Sequence, residues 1–193
     1  MEVNSYMEAR RVAYAGFHNK AQNARISARL LWRSYKESPN WNPGQVRRIA
    51  YKEAFERESA IALELIIKAN IARKTDNPPK FNHDIPNLWF DAGLPKLLPE
   101  DRKVLLFCKM TMNWSGRYLA PKTDEAWEKD TKAMAQSKMD HRYSLIYSGF
   151  EKVYQIAETH LNHGVAHLPM GDMTHNELHA FLDPEMLEDP MPY

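Results

Sequence analysis

Between residues 17 and 35 apolar side chains recur at intervals of four and three: Phe17, Ala21, Ala24, Ala28, Leu31 and Tyr35. That spacing is one narrow stripe on an α-helix, predicted from about Ser5 to Glu37. Its alanines let a neighbouring helix come close. Arg25, Arg29 and Arg33 form a separate basic row on the same rod. "SPNWNPGQ", residues 38–45, breaks the pattern with two prolines and a glycine. A second helix is predicted from about Gln45 to Lys74. Its centre, "SAIALELIIKANIA", is apolar nearly all round, the mark of a central, buried helix. Pro78 and Pro79 end it.

The pattern then shortens. "HDIPNLWFDAGLP" (83–95) predicts a short helix. "PEDRKVLLFCKM" opens a fourth, with Pro99 suited to the first helical position and Glu100 and Asp101 to the positive end of the dipole. It should end near Ser115-Gly116. A fifth follows in "KTDEAWEKDTKAMAQ", capped by Thr123 or Asp124. A sixth is predicted from about Asp140 to Asn162, with Tyr143, Ile146, Phe150, Val153 and Ala157 on one stripe. There is no run of alternating Val, Ile and Thr, and there are only 7 glycines, which argues against strands. The expected fold is all-α, an up-and-down antiparallel bundle of four to five core helices plus short accessory helices. One domain is expected over residues 1–168. An acidic, Met/Pro-rich C-terminal tail is expected over 169–193, with a short helix around Thr174–Leu182.

Composition narrows the chemistry. The single cysteine, Cys108, excludes an intrachain disulfide framework and cannot build a cysteine-based zinc site alone. It lies in an apolar run and reads as core. No stretch is long and apolar enough for a membrane span, and the first residues lack a signal core, so a cytoplasmic protein with no membrane partner is expected. Net charge is +1 but divided: residues 1–80 hold 15 Lys and Arg against 8 Asp and Glu, and residues 81–193 hold 11 against 17. An anion-facing surface in the first half is one reading of this split, and a solvated face with an acidic tail is the other.

Three local features carry candidate chemistry. Glu64 and Lys68 stand four apart inside the most apolar helix, Glu first, the better order for a helical ion pair. A buried carboxylate needs a cation, and Arg117, whose planar fork fits carboxylate or phosphate, is a candidate partner. His83-Asp84 follows a proline-rich loop, where Asn82 or Asp84 suits a helix cap. "NWSGRYLAPKT" (113–123) places Trp114, Arg117 and Tyr118 together between two helices. His160, His163 and His167 have helical spacing, but Gly164 interrupts them and they read as a helix end that complements the dipole. No metal and no cofactor is expected.

In order and spacing, "AIALELIIKANIA", "FNHDIPNLWFDAGLP" and "GRYLAP" resemble the HEPN domains, helical modules named for higher eukaryotes and prokaryotes nucleotide-binding. The likeness covers about residues 50–136. It rests on Glu64 with Lys68-Ala69, on His83-Asp84-Ile85 with Leu88, and on Arg117-Tyr118 with Pro121. Ile85 stands where the family has Leu, and two residues separate Tyr118 from Pro121 where the family has none. The resemblance implies a helical bundle, often a homodimer. It also implies a setting in toxin–antitoxin or defence systems, with a nucleotidyltransferase or antitoxin protein as partner. The candidate ligand is a nucleotide or RNA, and the candidate ligand-binding residues are Glu64, Lys68, His83, Asp84, Trp114, Arg117 and Tyr118.

The family's ribonuclease branch carries an Arg, four to six residues and a His late in the domain. Here only Arg11 and His18 have that spacing, on the first helix, at the wrong end. The expectation is therefore a non-catalytic module that binds a nucleotide-like or other anionic ligand or a protein partner. A metal-independent ribonuclease using Arg11 and His18, or a purely structural protein, are the alternatives.

Overall fold

A computed structural model describes residues 2–40, 44–74, 79, 82–115, 123–140 and 142–163. They form α1 (Glu2–Glu37), α2 (Gly44–Lys74), α3 (Ile85–Asp91), α4 (Pro99–Met110), α5 (Asp124–Gln136) and α6 (Tyr147–His163). No strand occurs among the described residues, and no described helix is long and apolar enough to cross a membrane. The contacts of the chain divide it into Met1–Asn162 and His163–Tyr193. The predicted helix around Thr174–Leu182 lies outside the described residues.

Side-chain contacts fix the helix directions. Trp32 packs on Phe55 with ring centroids 4.8 Å apart, and Arg48 covers Tyr35 at 4.5 Å. Ascending α1 therefore meets descending α2. Arg25 of α1 reaches both Glu151 and Glu158 of α6, and Gln22 also reaches Glu158, so α6 runs against α1. Lys152 pairs with Asp101 at 2.9 Å, and Val104 lies against Gly149, so α4 runs against α6. The result is an up-down-up-down bundle of α1, α2, α4 and α6, with α3 and α5 as accessories.

The alanine stripe does what its size allows. Ala21, Ala24 and Ala28 are buried, and among the described helices α1 packs most extensively on α2. From Ser59 to Ala72, α2 is buried at all but Ile61 and Leu65. Its polar Asn70 donates to the carbonyls of Ile66 (2.9 Å) and Ala157 (3.0 Å), which ties α2 to α6 without an orphaned amide.

Helix ends follow local chemistry. Thr123 Oγ1 accepts from the Ala126 N–H at 3.2 Å, the predicted cap of α5. At the other end of α5 the Lys138 N–H donates to the Ala135 carbonyl and the Met139 N–H to Met134, a Schellman turn with Lys138 at φ 50°. Met139 and Met134 pack in the small cluster around Leu106 and Met110. Gly93 makes the same turn after α3 at φ 65°. The rod begun by α4 continues as a π-helical turn, Thr111–Ser115, where Thr111 Oγ1 donates back to the Phe107 carbonyl at 3.0 Å.

One predicted start moves. The sixth helix begins at Tyr147, not near Asp140. An Asp140 carboxylate oxygen accepts from the Arg142 N–H at 2.7 Å and its carbonyl from the Tyr143 N–H at 2.9 Å, so the chain turns there instead of winding. The Lys52 ammonium then binds the Leu145 carbonyl and Glu56, holding the non-helical stretch. The phase changes accordingly. Leu145 is fully buried, Ile146 is exposed, and Tyr143 packs on Phe107 with centroids 5.5 Å apart.

Candidate functional site

Helix α2 buries a carboxylate that its own sequence cannot satisfy on both sides. Glu64 is 5% exposed. One turn later, Lys68 (7% exposed) curls back to Glu64 Oε1 at 2.5 Å. The second oxygen, Oε2, is met from outside the helix by His83 Nδ1 at 2.7 Å. A carboxylate already paired with an ammonium is ionised and has no proton to give. The ring hydrogen must therefore sit on Nδ1 of His83, with Glu64 as acceptor. His83 itself is at the surface, its side chain 45% exposed. An imidazole is thus held by one nitrogen and presented to solvent by its other edge.

Its neighbour Asp84 is turned elsewhere. Asp84 Oδ1 pairs with Lys109 of α4 at 3.1 Å, and Oδ2 accepts from Asn87 at 2.9 Å. It stands at the cap position of α3 but makes no side-chain cap bond, while Asn82 accepts from the Asp84 N–H at 3.3 Å. His83 and Asp84 therefore pin the start of α3 to two different helices, α2 and α4. Of the residues singled out from sequence, Glu64, Lys68 and His83 come together and Asp84 adjoins them. Lys68 points inward onto Glu64. The side chains of Trp114 and Arg11, and all of Arg117 and Tyr118, lie outside the described residues.

A second polar assembly seals α1 to α6. Arg25 donates to both oxygens of Glu151 and, at 3.0 Å, to Glu158, with its guanidinium 4.6 Å over the Tyr154 ring. Burial opposes the Arg25 charge, but the hydrogen bond and field of Glu151, with Glu158, outweigh it and push its pKa well above the ordinary value. The predicted basic row is thus divided: Arg25 serves the seam, while Arg33 pairs with Glu37 in solvent. The signal was present in α6, where Glu151 and Glu158 stand two turns apart on one face. His18 lies at the same seam, next to Gln22, which also bonds Glu158. Burial lowers the His18 pKa, and Glu158 pulls it partly back. Burial likewise raises the Tyr154 phenol far above its usual range.

Other candidates resolve as structure. Cys108 is wholly buried, and burial raises its thiol well above the reactive range. His160 is exposed, while the side chain of His163 and all of His167 fall outside the described residues. Among the described residues no group of three or more His, Cys, Asp or Glu is placed to hold a metal ion. A depression along α5 is lined, among the described residues, by Trp127, Glu128, Thr131, Lys132 and Ala135 of that helix. No family model, no curated protein and no solved structure matches the chain.

Proposed function

We propose that the protein is an HEPN-like helical module, without catalysis of its own, that binds a nucleotide-like anion at the edge between α2 and the start of α3. The observation that carries the reading is the clamp on His83. A buried carboxylate fixes the imidazole at 2.7 Å and leaves its other edge at the surface. Fixing a surface side chain lowers the entropy lost when a ligand binds. Lys68 serves Glu64 and not the ligand, so its role is to keep the clamp charged. Arg117 and Tyr118, with Trp114, are proposed to supply a phosphate fork and a stacking surface. His18, seated against Gln22 at the α1–α6 seam, favours this reading over a ribonuclease built on Arg11 and His18.

The proposed setting is cytoplasmic, as a homodimer beside a nucleotidyltransferase or antitoxin protein. Thermal shift and calorimetry over a panel of nucleotides test the ligand. Binding is expected in the full chain and should be lost in His83→Ala and Arg117→Ala. A flat panel overturns the reading.

A further inference from the structure

His83 is carried by a tight turn that α4 holds from outside. The Ile85 N–H donates to the His83 carbonyl at 2.9 Å, and Asp84 between them has φ −81° and ψ 72°. These are the angles of an inverse γ-turn with Asp84 at its centre. Asp84 is also the cap residue of α3. Aspartate there ordinarily takes extended backbone angles and accepts from a backbone N–H of the first turn. Pro86 has no N–H to offer, which leaves that of Asn87. Yet Asp84 makes no cap bond. Its carboxylate is drawn across to Lys109 of α4 at 3.1 Å and to the Asn87 side-chain amide at 2.9 Å. The Lys109 side chain is only 15% exposed and that of Asp84 25%, so water and salt screen the pair less than at an open surface. Turn and cap are alternatives, because they need different ψ angles at one residue. The buried Ile85, Leu88 and Trp89 anchor α3. A change of ψ at Asp84 therefore swings His83 and not the helix, and takes the imidazole off Glu64, which it meets at 2.7 Å.

We infer that Lys109 is a positioning residue for the proposed site. By holding Asp84 in the turn and away from the cap, it keeps the His83 ring on Glu64, so α4 as well as α2 sets the ligand-facing edge. This rests on the anion-binding function proposed above and deepens it with a residue that acts through His83 and not on the ligand. An ion pair that merely joined α3 to α4 would add stability and leave the ring where it is in its absence.

The test is Lys109→Met, with Lys109→Gln as a second neutral variant and Lys109→Arg as the conservative one. All are made in the full chain and checked for fold by circular dichroism. Nitrogen-15 spectra at mildly alkaline pH tell which nitrogen of the His83 ring bears the hydrogen. In the wild type and Lys109→Arg it should be Nδ1. The two neutral variants should show the mixed tautomers of an unheld ring. Calorimetry follows at the same pH, with the 5′-mono-, di- and triphosphates of adenosine, guanosine, cytidine and uridine as probes. Binding should be about fivefold weaker in the neutral variants, the scale of one loosened hydrogen bond, and near wild type in Lys109→Arg. A hydrogen kept on Nδ1 in a folded neutral variant, or unaltered affinity there, overturns the positioning role and leaves the anion-binding reading standing. No binding of any probe to the wild type overturns both.

Discussion

Single residues at helix ends and in the core make the sharpest claims. Lys138 and Gly93 occupy equivalent left-handed positions, one with a side chain and one without. A Cβ in that region costs about 1–2 kcal/mol. Lys138→Gly should therefore raise unfolding free energy by about 1 kcal/mol, after the flexibility that glycine adds to the unfolded chain. Gly93→Ala should lower it by a similar amount, because φ 65° strains any Cβ, while the Lys74 ammonium near the new methyl ends a flexible side chain that can move aside. Urea denaturation of the two variants checks both signs. Glu64 sets a larger scale. Glu64→Gln leaves Lys68 buried beside a neutral amide, a loss of about 3 kcal/mol. Adding Lys68→Met should restore most of it, because burying a matched pair gains little over burying apolar atoms. A double-mutant cycle that shows no coupling would contradict the ion pair.

Between elements, the α1–α2 contact depends on smallness and the α1–α6 contact on charge. Ala28 of α1 is wholly buried. Ala28→Leu should force the helices apart and cost about 2 kcal/mol, measurable as a lowered urea midpoint with an unchanged slope. At the seam, the folded protein holds the His18 pKa below its ordinary value, mainly through burial. A proton therefore binds the unfolded chain more readily than the native one. The stability present above the unfolded value, about pH 6.5, is lost as pH falls from there toward the folded value. His18→Gln should flatten this fall in melting temperature below about pH 6.5. An unaltered pH profile in the variant would place the acid sensitivity elsewhere.

At the scale of the whole molecule, one buried group reports on cooperative opening. Cys108 sits in the main core with residues of α1, α2, α3, α4 and α6, and burial suppresses its thiolate. A thiol reagent should label the native protein only through global opening, so the labelling rate should rise with urea in step with unfolding. Fast labelling in the absence of urea would show that α4 opens locally. The polar network at His83 is the opposite case. Glu64 and Lys68 are buried, but the His83 side chain is 45% exposed and meets solvent without any opening of the core.

By itself the sequence determined what is local and periodic: the all-α class, the extents of α1 and α2, the proline start of α4, the Thr123 cap and the buried centre of α2. Each follows from neighbours a few residues apart, whose chemistry acts before any tertiary contact forms. Its periodicity failed at 140–146, where Tyr143 and Ile146 kept helical spacing but a competing Asp140 turn and the Lys52 bond to Leu145 set another phase. What only the tertiary structure decided was which face meets which. A stripe says that a side is buried and is silent about its neighbour. So Arg25 could be read as one of a basic row until α6 brought Glu151 and Glu158 to it. Glu64 was legible as a carboxylate in need of a cation. That its second partner is His83 depended on α3 being folded back against α2, because an ion pair forms with whatever the packing brings within about 3 Å.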